Sequence, residues 1–305
     1  MAVEANILVI LGPTASGKSD LAMTLARKTG AEILSVDSMQ VYRGMNIGTA
    51  KPTAAEQAEV KHHLIDVAEP DENFTVARFV EMADEVIRDA AARGVPLIAT
   101  GGTPLYYKSL FEGLFDGPGE DAAVRERLRA VPPDELHRKL SEIDPPAAAR
   151  IHLNDTRRLV RALEVFELTG KPISSFQTAW ESASVRHSAM WVGLSREKEA
   201  LNRRINARVK AMMTASWLDE VRALVAKHQN LSRTAGEATG YRELIDHLSG
   251  KWSLDEAVEQ IKIATRQLAR RQMKWFKRFS NTHWIPGDRA IEESVAEVLG
   301  RWKRP

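Results

Sequence analysis

The chain contains no cysteine, which excludes a disulfide framework and any cysteine-ligated metal site. No apolar run approaches the ~20 residues that a membrane-spanning helix needs. The apolar start at residues 6–11 is too short for a signal-peptide core, and no basic segment precedes it. A cytoplasmic protein with no membrane partner is therefore expected. Repeats and low-complexity tracts are missing as well. With 305 residues, 44% hydrophobic and 28% charged, the composition is that of a globular protein. The length suits one large domain or two modest ones, and nothing in the sequence demands more than a monomer.

The net charge of +2 hides an asymmetry. Up to Glu120 there are 10 Lys and Arg against 17 Asp and Glu; the remainder holds 33 against 24. A basic second half suits a polyanionic partner, although on charge alone a merely decorated surface is an equal reading.

The first third alternates strand and helix patterns: strands over 6–11, 32–36, 63–67 and 95–100, helices over 19–29 and 74–92. Such alternation implies a parallel sheet covered by helices on both faces. The pattern changes near Asp116-Gly117-Pro118-Gly119, whose composition marks a boundary. Helical segments follow over 124–128, 134–143 and 155–169, the last stopped by Gly170 and Pro172. Residues 191–194 return to the sheet, amphipathic helices follow, one over 254–279, and 282–285 forms a final short strand. The expected architecture is an α/β core over 1–118 and 189–305, interrupted by a helical insertion over 119–188.

Between the first strand and first helix stands Gly12-Pro13-Thr14-Ala15-Ser16-Gly17-Lys18-Ser19, a complete G-x-x-x-x-G-K-[ST] phosphate-binding loop. Its glycines let the backbone bend around phosphate oxygens, and its N–H groups and helix N-terminus point at the anion. Lys18 supplies a mobile charge, and the Ser19 hydroxyl can ligate Mg²⁺. The loop makes this a P-loop NTPase-like fold that binds a nucleotide or another diphosphate. It does not say which group is transferred. Asp37, after the second strand, should face the same crevice beyond the carboxyl ends of the strands. It could take a proton from a nucleophile, hold a magnesium-bound water, or cap a turn together with Ser38.

The segment Ser35-Val36-Asp37-Ser38-Met39-Gln40-Val41-Tyr42-Arg43-Gly44-Met45-Asn46-Ile47-Gly48-Thr49-Ala50-Lys51-Pro52 resembles the tRNA dimethylallyltransferases, also called tRNA isopentenyltransferases. The form of the P-loop, His62-His63-Leu64-Ile65-Asp66, Gly101-Gly102-Thr103, Leu105-Tyr106 and Asn154-Asp155 fit the same family. So do Arg157-Arg158-Leu159-Val160-Arg161, Gly240-Tyr241-Arg242-Glu243-Leu244 and Thr265-Arg266-Gln267-Leu268-Ala269-Arg270-Arg271-Gln272. The resemblance runs in order along nearly the whole chain. It implies magnesium-dependent transfer of a dimethylallyl group from dimethylallyl diphosphate to N6 of the adenosine beside the tRNA anticodon. It further implies Asp37 as general base, with Thr103 and Lys18 as catalytic groups. By the same resemblance Asp37, Ser38, Met39, Gln40, Thr103, Arg125, Arg157, Arg158, Leu159, Val160 and Arg161 contact the tRNA, joined by Arg242 and Arg270. Arg208 and Arg242 also stand near the diphosphate by motif position.

Three positions depart from the family pattern: Pro104 after Thr103, Ser216 where glycine is expected, and Lys274 in place of threonine before Trp275. On the helix over 265–279, Arg266, Arg270, Lys274 and Lys277 share one face. Leu268, Trp275, Phe276 and Phe279 share the other, read as a core face. The Arg157, Arg158 and Arg161 cluster has a second reading, a solvated face paired with Asp155 or Glu164. His62-His63 lacks an i, i+4 partner, which argues against a metal site. Other readings of the loop are a P-loop kinase, a transferase for free AMP or ADP, and a non-catalytic RNA-binding protein. The basic half counts against the AMP reading, and intact Lys18, Ser19 and Asp37 count against the non-catalytic one.

Overall fold

The computed structural model describes residues 6–113, 117–176 and 185–302. Asp116 of the expected boundary and residues 177–184 of the expected insertion lie outside the described residues. Two compact units form: Met1–Leu110 with His187–Pro305, and Phe111–Arg186. The chain opens with β1 (Ile7–Leu11), α1 (Lys18–Thr29), β2 (Glu32–Ser35), α2 (Ala54–Glu59) and β3 (His62–His63). Next come α3 (Val76–Arg93), β4 (Leu97–Thr100) and α4 (Pro104–Glu112). The second unit holds α5 (Ala122–Arg129), α6 (Pro133–Ile143), α7 (Pro145–Ala148) and α8 (Thr156–Thr169). The first unit resumes with β5 (Met190–Ser195), α9 (Lys198–Thr214), α10 (Trp217–Lys227), α11 (Arg233–Gly236) and α12 (Tyr241–Leu248). It ends with α13 (Leu254–Phe276), β6 (His283–Pro286) and α14 (Ile291–Arg301).

The six strands form one sheet in the order β3-β2-β4-β1-β5-β6, every pair parallel. β1 is buried along its whole length, as a central strand covered on both faces must be. On one face Leu8, Ile10, Ile33, Ile98 and Val192 pack with Leu21 and Leu25 of α1 and Val295 and Val298 of α14. Because side chains alternate along a strand, Trp191 points to the other face. There it stacks on Phe279 at 5.0 Å and meets Tyr107, which lies edge-on to Phe276. Phe276 and Phe279 are thus core groups, whereas Leu268 turns toward the cavity described below.

The strand expected over 63–67 is confined to His62–His63. Leu64 and Asp66 take φ of +60° and +55°, which no strand accommodates. The helix expected to run to 279 stops at Phe276. Helices α2, α4, α10, α12 and α14 add to the expected elements, and none exceeds 11 residues. Two of the family departures have local meaning. Pro104 opens α4, where its missing N–H costs nothing. Ser216 stands at φ +66°, a left-handed position that glycine fits without strain.

In the second unit, Leu128, Leu136, Leu140, Leu159 and Leu163 form a separate core. Glu164 is fully buried within that unit and accepts from the Asp121 N–H at 2.9 Å, from Arg161 at 2.7 Å and from Arg125 at 2.9 Å. Burial pushes its carboxyl up, but these donors outweigh it and hold the group below the ordinary range.

Trp217 is wedged between two glycines: a Cβ on Gly48 or Gly240 would enter its ring. Gly240 also has φ +93°. Gly240→Ala should cost about 1–3 kcal/mol through overpacking and on the order of 1 kcal/mol more through backbone strain. A lowered urea midpoint with an unchanged slope would bear this out; an unchanged midpoint would contradict it.

Candidate active site

Three strand ends build the site. β1 runs into the P-loop, β2 into Asp37, and β4 into Gly101-Gly102-Thr103. Since β2, β4 and β1 are adjacent and parallel, their carboxyl ends share one edge, the usual ligand side of such a sheet. They line a cavity of about 330 Å³ together with side chains from α9, α10 and α13.

The P-loop bends through Ala15 at φ +63° and Gly17 at φ +102°, a conformation that turns successive N–H groups into one concavity. A Cβ on Gly12 would come within 2.6 Å of Ser16 Oγ. The Ser16 hydroxyl is buried, and no protein group hydrogen-bonds to it. Loop carbonyls that turn away from the concavity are held by cations: Arg196 Nε donates to Ser16 O and Arg204 Nε to Ala15 O, both at 2.9 Å. Arg208 adds a third guanidinium from α9 and lines the cavity with Lys18. Burial and the nearby Arg208 push Lys18 down to about 8, with Asp37 pulling the other way. Burial also lowers Arg208, while Asp37 and Asp20 favour its charge. Clustered cations beside the P-loop give this end of the cavity a positive field that suits an anion.

Asp37 is fixed through both oxygens. Oδ1 accepts from the N–H of Met39 at 2.9 Å and of Gln40 at 3.4 Å; Oδ2 accepts from the N–H of Gly102 at 3.1 Å. The turn-capping reading and the cavity-facing reading of Asp37 therefore both hold: it caps the turn and lines the cavity. Thr103 Oγ1 accepts from Ser38 N–H at 2.9 Å and donates to Ser38 Oγ at 3.1 Å. Gln40 donates to the carbonyls of Thr49 and Ala50 and accepts from the Ser35 hydroxyl. Met39 lines the cavity as well.

Two polar clusters hold another part of the lining. Lys51 donates to Tyr42 O, Asn46 Oδ1 and Asp66 Oδ1 at 2.7, 2.9 and 2.6 Å. Glu220 accepts from the N–H of Asn46 and Ile47 and, at 2.6 Å, from the Tyr241 hydroxyl. Both clusters fix the loop that carries Gly48, against which Trp217 packs.

The other expected site residues are spread more widely. Arg242 is exposed and pairs with Glu243 at 2.8 Å. Arg270 and the departure Lys274 are exposed on α13. In the second unit Arg157 and Arg158 are exposed, with Arg158 3.2 Å from Asp155. Leu159 and Val160 are buried in that unit's core, so their side chains are withdrawn from any partner, contrary to expectation. Arg125 and Arg161 turn their guanidinium groups onto Glu164, the ion-paired reading of this helix face. Arg196 and Arg204 escaped the sequence reading; their carbonyl partners lie about 180 residues away in the chain. Among the described residues no group of three or more His, Asp or Glu could hold a metal ion.

A parallel sheet with a P-loop at β1 and a carboxylate beyond β2 defines a P-loop α/β protein. A profile of the IPP transferase family matches residues 40–279. The chain is 45% identical to a tRNA dimethylallyltransferase of Geobacter metallireducens, over 97% of each chain. The crystal structure of the full-length tRNA isopentenylpyrophosphate transferase of Bacillus halodurans is similar, with TM-score 0.74 and 36% identity over 98% of this chain and 95% of that one. A eukaryotic dimethylallyltransferase captured acting on tRNA gives TM-score 0.82 at 26% identity, covering 99% of this chain and 81% of that one. The chain belongs to the IPP transferase family.

Lys18 gives a pH signature. Without an anion it loses its proton as pH rises past about 8, well below its ordinary 10.5. A bound anion favours the charged form, so inorganic pyrophosphate should take up protons on binding between those values. Calorimetry in buffers of different ionisation enthalpy should detect the uptake, and Lys18→Met should abolish it. Because pyrophosphate's own last proton titrates in the same range, the measure is wild type minus Lys18→Met, and no difference between them would contradict the assignment.

Proposed function

We propose that this chain is a tRNA dimethylallyltransferase. It moves a dimethylallyl group from dimethylallyl diphosphate to N6 of the adenosine 3′ to the anticodon and releases pyrophosphate. The observation that carries this reading is the pairing of an anion-hungry P-loop with a backbone-fixed carboxylate in one cavity. The family membership and the tRNA dimethylallyltransferases among the relatives support it.

An adenine amine is a weak nucleophile, since its lone pair is delocalised into the ring. It needs a reactive electrophile held in place. An allylic carbon qualifies, because its developing positive charge spreads over the double bond. The barrier then lies in the charge building on pyrophosphate, which Lys18, Arg208 and the N–H groups at the start of α1 stabilise. The C–O bond to the diphosphate breaks, the N6–C bond forms, and Asp37 accepts the N6 proton. The backbone donors on Asp37 keep it oriented, and Thr103 fixes the turn beside it through Ser38.

The donor set fits a magnesium ion brought in with the diphosphate. Mg²⁺ takes hard oxygen ligands, keeps several waters and needs only one or two from the protein. Here the Ser19 hydroxyl is available beside Lys18, with the Asp37 carboxylate in the same cavity. When bound, the ion supplies charge neutralisation on the diphosphate.

The adenosine leaves its stack to reach Asp37, at a cost of a few kcal/mol. Exposed Arg157 and Arg158 of the second unit and Arg270 of α13 are the groups we assign to RNA phosphates. One chain supplies every group named, so a monomer suffices. We place the reaction in the cytoplasm, alongside its tRNA substrate.

The test is incubation with Mg²⁺, labelled dimethylallyl diphosphate and an anticodon stem-loop. N6-prenyladenosine is expected; phosphate transfer from ATP to a small hydroxyl compound without prenyl product would overturn the reading. Asp37→Ala should lower kcat by about 10²–10⁴-fold with little change in RNA affinity; near-normal turnover would remove Asp37 from its role. Arg158→Ala should weaken RNA binding and reduce its salt slope by about one unit, and an unaltered slope would exclude the contact.

A further inference from the structure

One buried side chain ties the two halves of the cavity together. Gln272, on α13, is 5% exposed. Its Oε1 accepts from the Thr14 N–H of the P-loop at 2.9 Å, and its Nε2 donates to the Gly102 carbonyl at 2.8 Å. The N–H of that same Gly102 donates to Asp37 Oδ2 at 3.1 Å. The result is an unbroken run of three hydrogen bonds from the phosphate loop to the carboxylate, across segments more than 150 residues apart from α13. The packing around it is tight: a Cβ on Gly102 would lie 2.7 Å from Gln272 Nε2 and 3.0 Å from Asp37 Oδ2. Gln272 is suited to this. A neutral amide carries a donor and an acceptor on one planar group, so it can bind a loop N–H and a loop C=O at once without adding charge beside Lys18.

We propose that Gln272 is a positioning residue that fixes the distance between the diphosphate cradle and the Asp37 carboxylate. It touches neither reacting atom. It acts because the electrophile is anchored by the P-loop while the amine is deprotonated at Asp37, and a misplacement of about 1 Å between reacting partners can cost 10²-fold in rate. This inference rests on the proposed prenyl transfer. Wild-type turnover of dimethylallyl diphosphate and the stem-loop tests that activity; the variants below test the tie.

In Gln272→Met, of similar length but without the two hydrogen bonds, kcat should fall about 10–100-fold, while KM for the stem-loop changes less than threefold. The decisive measurement is a double-mutant cycle with Asp37→Ala under single-turnover conditions. If Gln272 acts through Asp37, adding Gln272→Met to Asp37→Ala should cost less than twofold more, because the partner it positions is already gone. Additive losses, a kcat within twofold of wild type, or a loss confined to KM would each overturn the proposal. Melting curves confirm that each variant is folded at the assay temperature. If Gln272→Met does not fold, Gln272→Leu, also neutral and without the two hydrogen bonds, takes its place in the cycle and carries the same expectations.

Discussion

The P-loop turn is the constraint on which the rest of this protein depends. β1 must turn into α1 within six residues while leaving backbone N–H groups free for an anion. That demands positive φ at Ala15 and Gly17 and no Cβ at Gly12. Unpaired donors and a strained alanine are unfavourable by themselves. They persist because neighbouring groups take up the loop's other polar atoms: Arg196 and Arg204 hold two carbonyls, and Gln272 holds the Thr14 N–H. The loop is set by its surroundings as much as by its own sequence.

The same parts give the site its electrostatics. Guanidinium groups that brace the loop also charge it, and an anion in the cavity would relieve their mutual repulsion further than Asp20 and Asp37 do. Asp37 sits in this field without pairing directly to a cation; its oxygens are spent on three backbone N–H groups. A carboxylate held that way keeps its orientation and remains free to accept a proton, which a tight ion pair with Lys18 would hinder. In the second unit the opposite solution is used. Glu164 is buried and fully engaged by Arg125 and Arg161, so those charges stabilise a small helical unit instead of projecting from it.

The fold was legible in the sequence wherever a local rule was strong. The buried runs of β1, β2 and β4 read as covered parallel strands, and Gly30, Gly94 and Gly170 end helices at left-handed positions. Short helices such as α10 and α12 were not legible, and the left-handed residues Leu64 and Asp66 cut short a strand that composition favoured. In the arginine cluster, sequence motif and structure diverge: Leu159 and Val160 belong to the core, and Arg161 to Glu164.

The sequence by itself determined the chemistry available: a loop of the phosphate-binding pattern, a carboxylate after the second strand and a basic second half. Each is a local property, written in spacing, glycine placement or charge. Only the tertiary structure decided how those groups are held. Arg196, Arg204 and Gln272 reach the loop from segments at least 180 residues away, and no local pattern encodes a contact made by chain reversal across a sheet. Parallel strands bring their carboxyl ends to one edge, and side chains from distant helices then complete the site.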